Sequence, residues 1–213
     1  MEFDFFQQQL EPLSSLPPNP LAHRLAMPPQ RDRWIAQALQ NPDPPKQAAV
    51  LCCFYPDEKG QTRFVLIRRQ ASKYAHGGQY ALPGGKQEAL DRSHWETALR
   101  EAEEEVNIQS EAVHYIRGLH DLYIPPSHFQ VHPFLGYLEQ APHLKPQPSE
   151  VAEIYSIPIE SLLNPNNLIQ TSMTTSYMKN QFVPAFNLGG HLVWGATAMM
   201  LAELRELLRS LAG

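Results

Sequence analysis

Three acidic residues, Glu101, Glu104 and Glu105, crowd one stretch of the segment Leu82 to Ile108, LPGGKQEALDRSHWETALREAEEEVNI. With Trp95 at zero on a wheel of about 100° per residue, the three carboxylates project together, roughly a third of a turn from an apolar stripe. That stripe is Trp95, Ala98, Leu99, Ala102 and Val106, and its spacing predicts a helix with this face buried. Glu101 repels Glu105 at i,i+4 and Glu104 at i,i+3, at about 0.2 to 0.5 kcal/mol per pair. The cluster also lies toward the helix C-terminus, where the dipole disfavours anions. A run of glutamates is ordinarily a solvated face. Here a tight Pro83-Gly84-Gly85 turn lies just upstream, where backbone can approach a ligand closely. A hard divalent cation turns such repulsion into coordination, since Mg²⁺ is held by a few carboxylates plus substrate phosphates.

The second half of this segment reads Arg100-Glu101-Ala102-Glu103-Glu104-Glu105-Val106-Asn107-Ile108. It resembles the box of the Nudix hydrolases, G-x5-E-x7-R-E-U-x-E-E-x-G-U, with U an aliphatic residue. Asn107 stands where that family has Gly, and Asn tolerates the left-handed geometry of a helix C-cap. In the first half, Gly85 leads after five residues to Asp91 where the family has Glu, and eight residues then separate Asp91 from Arg100. The loop is one residue longer than in the family and its acid one methylene shorter.

The segment before the turn narrows the resemblance. Residues 64–85 are similar to the motif LLTxRSxxxRxHxGxxxFPGG of the coenzyme A pyrophosphatase subfamily. Arg69, His76, Gly78, Pro83, Gly84 and Gly85 fall on its fixed positions and Leu66 on an aliphatic one, while Gln70, Tyr74 and Leu82 depart from it. Residues 190–198, GHLVWGATA, also resemble that subfamily's closing segment. Coenzyme A carries a diphosphate and a separate 3′-phosphate, so its site needs cations beyond a metal. Arg68, Arg69, Lys73, His76 and Lys86 flank the turn within 19 residues. Arg68 and Arg69 face opposite ways on a strand, so one of the two readily reaches a shared site. The expected substrate-binding residues are Arg69, Lys73, His76, Gly78 and Lys86.

The resemblance implies Mg²⁺ (or Mn²⁺) held by Glu101, Glu104, Glu105 and the Gly85 carbonyl, with Glu101, Glu104 and Arg100 as the catalytic residues. Arg100 is expected to orient a catalytic glutamate by ion pairing. The implied products are 4′-phosphopantetheine and 3′,5′-ADP. Two other readings stand beside this one: hydrolysis of another nucleoside diphosphate derivative (ADP-ribose, NADH or a dinucleotide), and a non-catalytic Nudix-like binding module. Glu150 and Glu153 are expected to form surface salt bridges, although either can supply one more acid. His128 and His132 have a spacing that suits zinc, but no third ligand is visible nearby, so zinc is not expected. Trp194 is read as core. Tyr123 and Phe129 lie where a substrate pocket can be bounded.

These residues need a scaffold. The chain has 213 residues, enough for one domain with an extension. Its net charge of −5 argues against nucleic-acid binding, which needs basic patches. The expected partner is a small nucleotide substrate; a homodimer is left open. With no apolar run of membrane-spanning length and no signal-peptide pattern, no membrane partner and a cytoplasmic location are expected. Adjacent Cys52 and Cys53 should point to opposite faces of a strand and read as small buried hydrophobes. Prolines break residues 1–46 into an N-terminal arm, with helical turns at Met1 to Leu10 and Arg31 to Leu39. Residues 47–213 are expected to form the catalytic domain. Its strands are read at Ala48 to Phe54, Arg63 to Arg68, Val113 to Leu119, Val131 to Leu138, Val151 to Ile157 and Phe182 to Asn187. A helix starts at Ser93, whose pairing with Glu96 reads as a capping box. A short helix is read at Ile159 to Leu163, and a long amphipathic one at Trp194 to Leu211. This order suggests a mixed sheet between helices, and the Nudix resemblance implies the same α/β/α sandwich.

Overall fold

The apolar run around Cys52 becomes β1 (Lys46–Pro56), and the Arg63 to Arg68 run becomes β2 (Thr62–Arg69). The computed structural model describes residues 1–71, 77–175 and 178–211, so Lys73 and His76 lie outside the described residues. β1 and β2 pair only near their hairpin, with Phe54 opposite Phe64 and Pro56 opposite Thr62. Asp57 fixes that turn by accepting the Lys59 and Gln61 amides at 2.9 Å. Beyond it the strands are no longer paired with each other, and the Pro-Gly-Gly segment takes the vacated edges. β3 (Tyr80–Ala81) pairs with β2, and β4 (Gly84–Lys86) pairs with β1.

On its other edge β1 runs parallel to β7 (Phe129–Tyr137), which in turn pairs with β5 (His114–Gly118) and β6 (Leu122–Ile124). The far edge of β2 pairs with β8 (Val151–Pro158). The described residues thus form one mixed sheet of eight strands.

Strand alternation decides what covers each face. Ala49, Leu51, Cys53 and Tyr55 share a core with Ala98, Ala102 and Val106 of α4 (His94–Val106). Ala48, Cys52 and Phe54 instead join α6 (Gly195–Leu211) and the arm helices α1 (Phe3–Gln8) and α2 (Leu10–Ser15). The two cysteines therefore point to opposite faces, both free and buried. Helices on both faces of a mixed sheet give the α/β/α layering expected from the sequence.

The strand and helix expectations hold for α5 (Ile159–Leu163) and, within a residue or two, for the strands named above. A second sheet was not anticipated. β9 (Leu168–Met173), β10 (Gln181–Leu188) and β11 (His191–Trp194) form it, antiparallel throughout. β9 reads LIQTSM; its half-buried Ile169, Thr171 and Met173 alternate with exposed Gln170 and Ser172, but a polar Thr171 on the inner face weakens the apolar signal. The Gly189-Gly190 turn, with φ of 67° and 92°, is a two-residue hairpin signal that could have revealed β11. Trp194 ends that strand, so α6 begins one residue later than expected. Trp194 is 6% exposed, in keeping with a core residue. Among the described residues no helix is long and apolar enough to cross a membrane.

The arm breaks into four pieces: α1, α2, a 3-10 turn at Pro20–Ala26, and α3 (Arg31–Ala38). Phe3, Phe6, Leu13, Ala22 and Ala26 are buried, and two charged side chains pin the arm down. Arg117 donates to the Leu13 and Leu16 carbonyls at 2.8 and 2.7 Å. Glu203 of α6, itself buried, accepts from the Asn19 amide at 3.2 Å, lies 2.9 Å from the His23 ring, and accepts from the His120 amide. Replacing Arg117 by Met leaves both carbonyls without a donor and should cost about 2 to 4 kcal/mol. Urea denaturation checks this; a loss under about 0.5 kcal/mol would show that the arm does not depend on it.

Candidate active site

Helix α4 begins as its capping pattern predicts: Ser93 is extended (φ −154°) and its hydroxyl accepts the Glu96 amide at 3.2 Å. Glu96 does not complete the reciprocal box. Its carboxylate accepts from the Arg92 amide and guanidinium, both at 2.9 Å. The helix ends at Asn107 in the left-handed conformation (φ 61°), where its amide and that of Ile108 reach the Glu103 and Ala102 carbonyls.

The buried arc of α4 is Thr97, Ala98, Glu101, Ala102, Glu105 and Val106. It is rotated toward the glutamates relative to the expected stripe, leaving Trp95 and Leu99 half-buried. Glu105 is 1% exposed. It accepts the Gly84 amide at 2.8 Å and pairs with Arg69 at 3.3 Å, while Arg69 also donates to the Gly84 carbonyl at 2.6 Å. Arg69 and Glu105 thus hold the two successive peptide groups that flank the Gly84 Cα. Arg68 turns the other way and pairs with Glu153, as strand alternation requires.

Arg100 anchors the loop before the helix. It donates to both Asp91 oxygens at 2.9 and 3.0 Å and to the Lys86 carbonyl at 3.0 Å. The Arg100 guanidinium holds the Asp91 carboxyl well below the usual range against the opposing effect of burial, helped by the Glu88 amide and the Thr97 hydroxyl. The extra loop residue is therefore absorbed without losing the Asp91–Arg100 pair. Arg100 also bridges Glu101 at 3.1 Å and Glu104 at 3.2 Å.

Gly84 has φ 151°, and a Cβ there would sit 2.3 Å from the Ala49 carbonyl oxygen. A Cβ on Gly85 would sit 2.5 Å from the Glu101 carboxyl. The turn is glycine because it is pressed between β1 and α4.

Carboxylate oxygens of Glu101, Glu105 and Glu150 lie within 4.8 Å of one another. Glu104 is not in that group; its side chain is 59% exposed beside Arg100. Glu150, expected at a surface salt bridge, instead faces the buried pair. The β2–β8 register sets Val151 beside Arg69, and the Gln70 amide donates to the Glu150 carbonyl at 2.8 Å. No local sequence signal marks this contact. Burial pushes Glu105 up to about 7, against the lowering influence of Arg69 and the Gly84 amide. Burial also raises Glu101, opposed by Arg100. Three oxygen donors, two of them reluctant to ionise alone, fit a hard divalent cation such as Mg²⁺ or Mn²⁺.

The cluster opens onto a cleft of about 660 Å³ whose lining includes Glu101, Glu150, Arg69, Gly85 and Lys86. Its walls are largely apolar and include Phe129, Trp194, Met199 and Met200, and the arm adds Arg31 and Trp34. Gly78 (φ 73°) sits in the turn beside Arg69, its amide 3.2 Å from the Arg69 carbonyl, and does not line the cleft. Tyr123 bonds the His128 ring at 2.7 Å rather than the cleft. His128 occupies a turn with φ 56°, while His132 pairs with Asp121 and Gln47.

The NUDIX domain model matches residues 45–176. The chain belongs to the Nudix family. It is 31% identical over 174 residues to "Nudix hydrolase 15, mitochondrial" of Arabidopsis thaliana, covering 78% of this chain but 61% of that protein. It is 34% identical over 175 residues to the Nudix hydrolase NudL of Photorhabdus laumondii, covering 79% of this chain and 91% of that one. Among solved structures, a Nudix hydrolase from M. smegmatis, RenU, shares the fold at a TM-score of 0.52 and 17% identity, over 79% of this chain and 88% of that chain. The matched Nudix span excludes both the arm and α6, yet both wall the cleft.

Two outcomes test the carboxylate site. A carboxyl group raised from 4.5 to about 7 contributes stability present below pH 4.5 and lost as pH rises through 7, on the order of 3 kcal/mol. The metal-free Glu105→Gln variant should therefore unfold at higher urea than wild type at pH 8, with the gap closing toward pH 5. Gly85→Ala should displace Glu101 and weaken Mn²⁺ binding at least tenfold by calorimetry; unchanged affinity would remove Glu101 from the site.

Proposed function

We propose that this Nudix protein is a divalent-cation-dependent diphosphatase acting on nucleoside diphosphate derivatives, with coenzyme A or acyl-coenzyme A as its substrate. The observation that carries this reading is the three-carboxylate group of Glu101, Glu105 and Glu150 at the mouth of a mostly apolar cleft. A diphosphate fits the polar end and an elongated organic moiety the apolar walls. Coenzyme A is favoured within the class by the motif residues from Leu66 to Gly85, of which Arg69 braces the Gly84 peptide and Glu105.

The chemistry is attack of water on one phosphorus with cleavage of the bridging P–O bond, releasing (acyl-)4′-phosphopantetheine and 3′,5′-ADP. When bound, the cation neutralises charge on the diphosphate and acidifies water. Glu101, Glu105 and Glu150 would hold it, joined, as the resemblance implies, by the Gly85 carbonyl. Arg100 keeps Glu101 and Glu104 in place through its pairs with both. Glu104, exposed beside them, is assigned as a catalytic carboxylate able to take a proton. Lys86 is exposed at the cleft and meets a phosphate oxygen as a point charge. We place the enzyme in the cytoplasm, the location expected from the sequence.

The test compares kcat/KM on coenzyme A, its 3′-dephospho form, ADP-ribose and NADH, each with Mg²⁺ and with chelator. Coenzyme A turnover that disappears on chelation, and exceeds that on the other three, supports the reading. A higher kcat/KM on ADP-ribose or on the dephospho form would overturn the coenzyme A assignment while leaving the diphosphatase. No metal-dependent product from any of them would overturn both. Glu104→Gln should lower kcat by orders of magnitude with unchanged urea stability; near wild-type turnover would remove Glu104 from the catalytic set.

A further inference from the structure

We infer that Arg31, on the N-terminal arm, binds a phosphate monoester of the substrate separate from the diphosphate that is cleaved. This deepens the coenzyme A reading and rests on it: that substrate carries such a group, the 3′-phosphate. Three cations line the cleft among the described residues, Arg31, Arg69 and Lys86. Arg69 is committed to Glu105 and the Gly84 carbonyl. Lys86 belongs to β4, the strand that also supplies Gly84 and Gly85 beside the carboxylates. Arg31 belongs to a different element, and among the described residues its guanidinium has no hydrogen bond or ion pair.

That guanidinium is not simply solvated. Arg31 is half-buried, and burial lowers its pKa while the neighbouring Asp32 raises it. A partly desolvated guanidinium on a cleft wall, with no protein partner among the described residues, is open to an anion, and its planar donor fork suits phosphate oxygens. Its position is also fixed. Arg31 opens α3, and its amide donates to the Pro28 carbonyl at 3.0 Å. Gln30 donates to Gln181 of β10 at 2.6 Å, and Trp34, three residues on and lining the same cleft, packs on the cluster of Trp194, Val183 and Met178. The arm thus presents a pre-placed cation to the cleft from outside the matched Nudix span.

The experiment measures binding of 3′,5′-ADP and of 5′-AMP to the full chain by calorimetry at fixed Mg²⁺, in wild type, Arg31→Gln and Arg31→Lys. Wild type should prefer 3′,5′-ADP by about tenfold to a hundredfold, the range of one charge-assisted contact. Arg31→Gln should abolish that preference, and Arg31→Lys should restore part of it. Equal binding of the two nucleotides by wild type would overturn the inference. So would a preference that survives in Arg31→Gln, including one that survives while both affinities fall, since that pattern marks a merely structural role. Failure of the coenzyme A reading shows separately, as absent coenzyme A turnover by wild type, and leaves this binding comparison decisive for Arg31.

Discussion

Glu105 is the residue on which the site's geometry depends. It sits on the sheet-facing arc of α4, where an apolar side chain would pack at least cost, and is almost wholly buried. A carboxylate there is tolerable only because its oxygens are met by the Gly84 amide and Arg69. Those two contacts tie α4, β2 and the turn before β4 into one unit. The glycines follow from the same constraint, since any side chain at Gly84 or Gly85 would collide with β1 or Glu101. The cost of burial remains visible in the raised Glu105 and Glu101 carboxyls.

Around that unit, arginines settle the remaining repulsion. Arg100 lies between Asp91, Glu101 and Glu104, so the Glu101–Glu104 pair shares one cation, while Glu105 has its own in Arg69. Glu101 and Glu105 face inward with Glu150, whereas Glu104 stays outside. The acidic run therefore divides into an inner and an outer part, a distinction of only 60° to 100° on the helical wheel.

Most of the α/β/α sandwich was legible because β1, β2, β7 and α6 have long, clean apolar patterns. The helix of the site was legible at both ends, through Ser93 and Asn107. Local periodicity did not reveal how far the buried arc of α4 reaches, because Glu101 and Glu105 read as polar whatever they pack against. Glu150 was read as a surface salt-bridge residue first and an extra acid second for a different reason: its approach to the glutamates is set by the β2–β8 register, a long-range pairing with no local signature. The same holds for the arm. Arg31 and Trp34 look like ordinary surface-helix residues until β10 and Trp194 are in place beneath them.

Glu203 carries a consequence for the order of assembly. Its carboxylate, on the last helix, meets the Asn19 amide across a separation of 184 residues and His23 across 180. The arm is made well before α6 and has no acceptor for these groups until that helix has formed and docked. Seating the arm, which walls the cleft with α6, therefore depends on contacts of the longest sequence separation, the kind that costs most to close during folding.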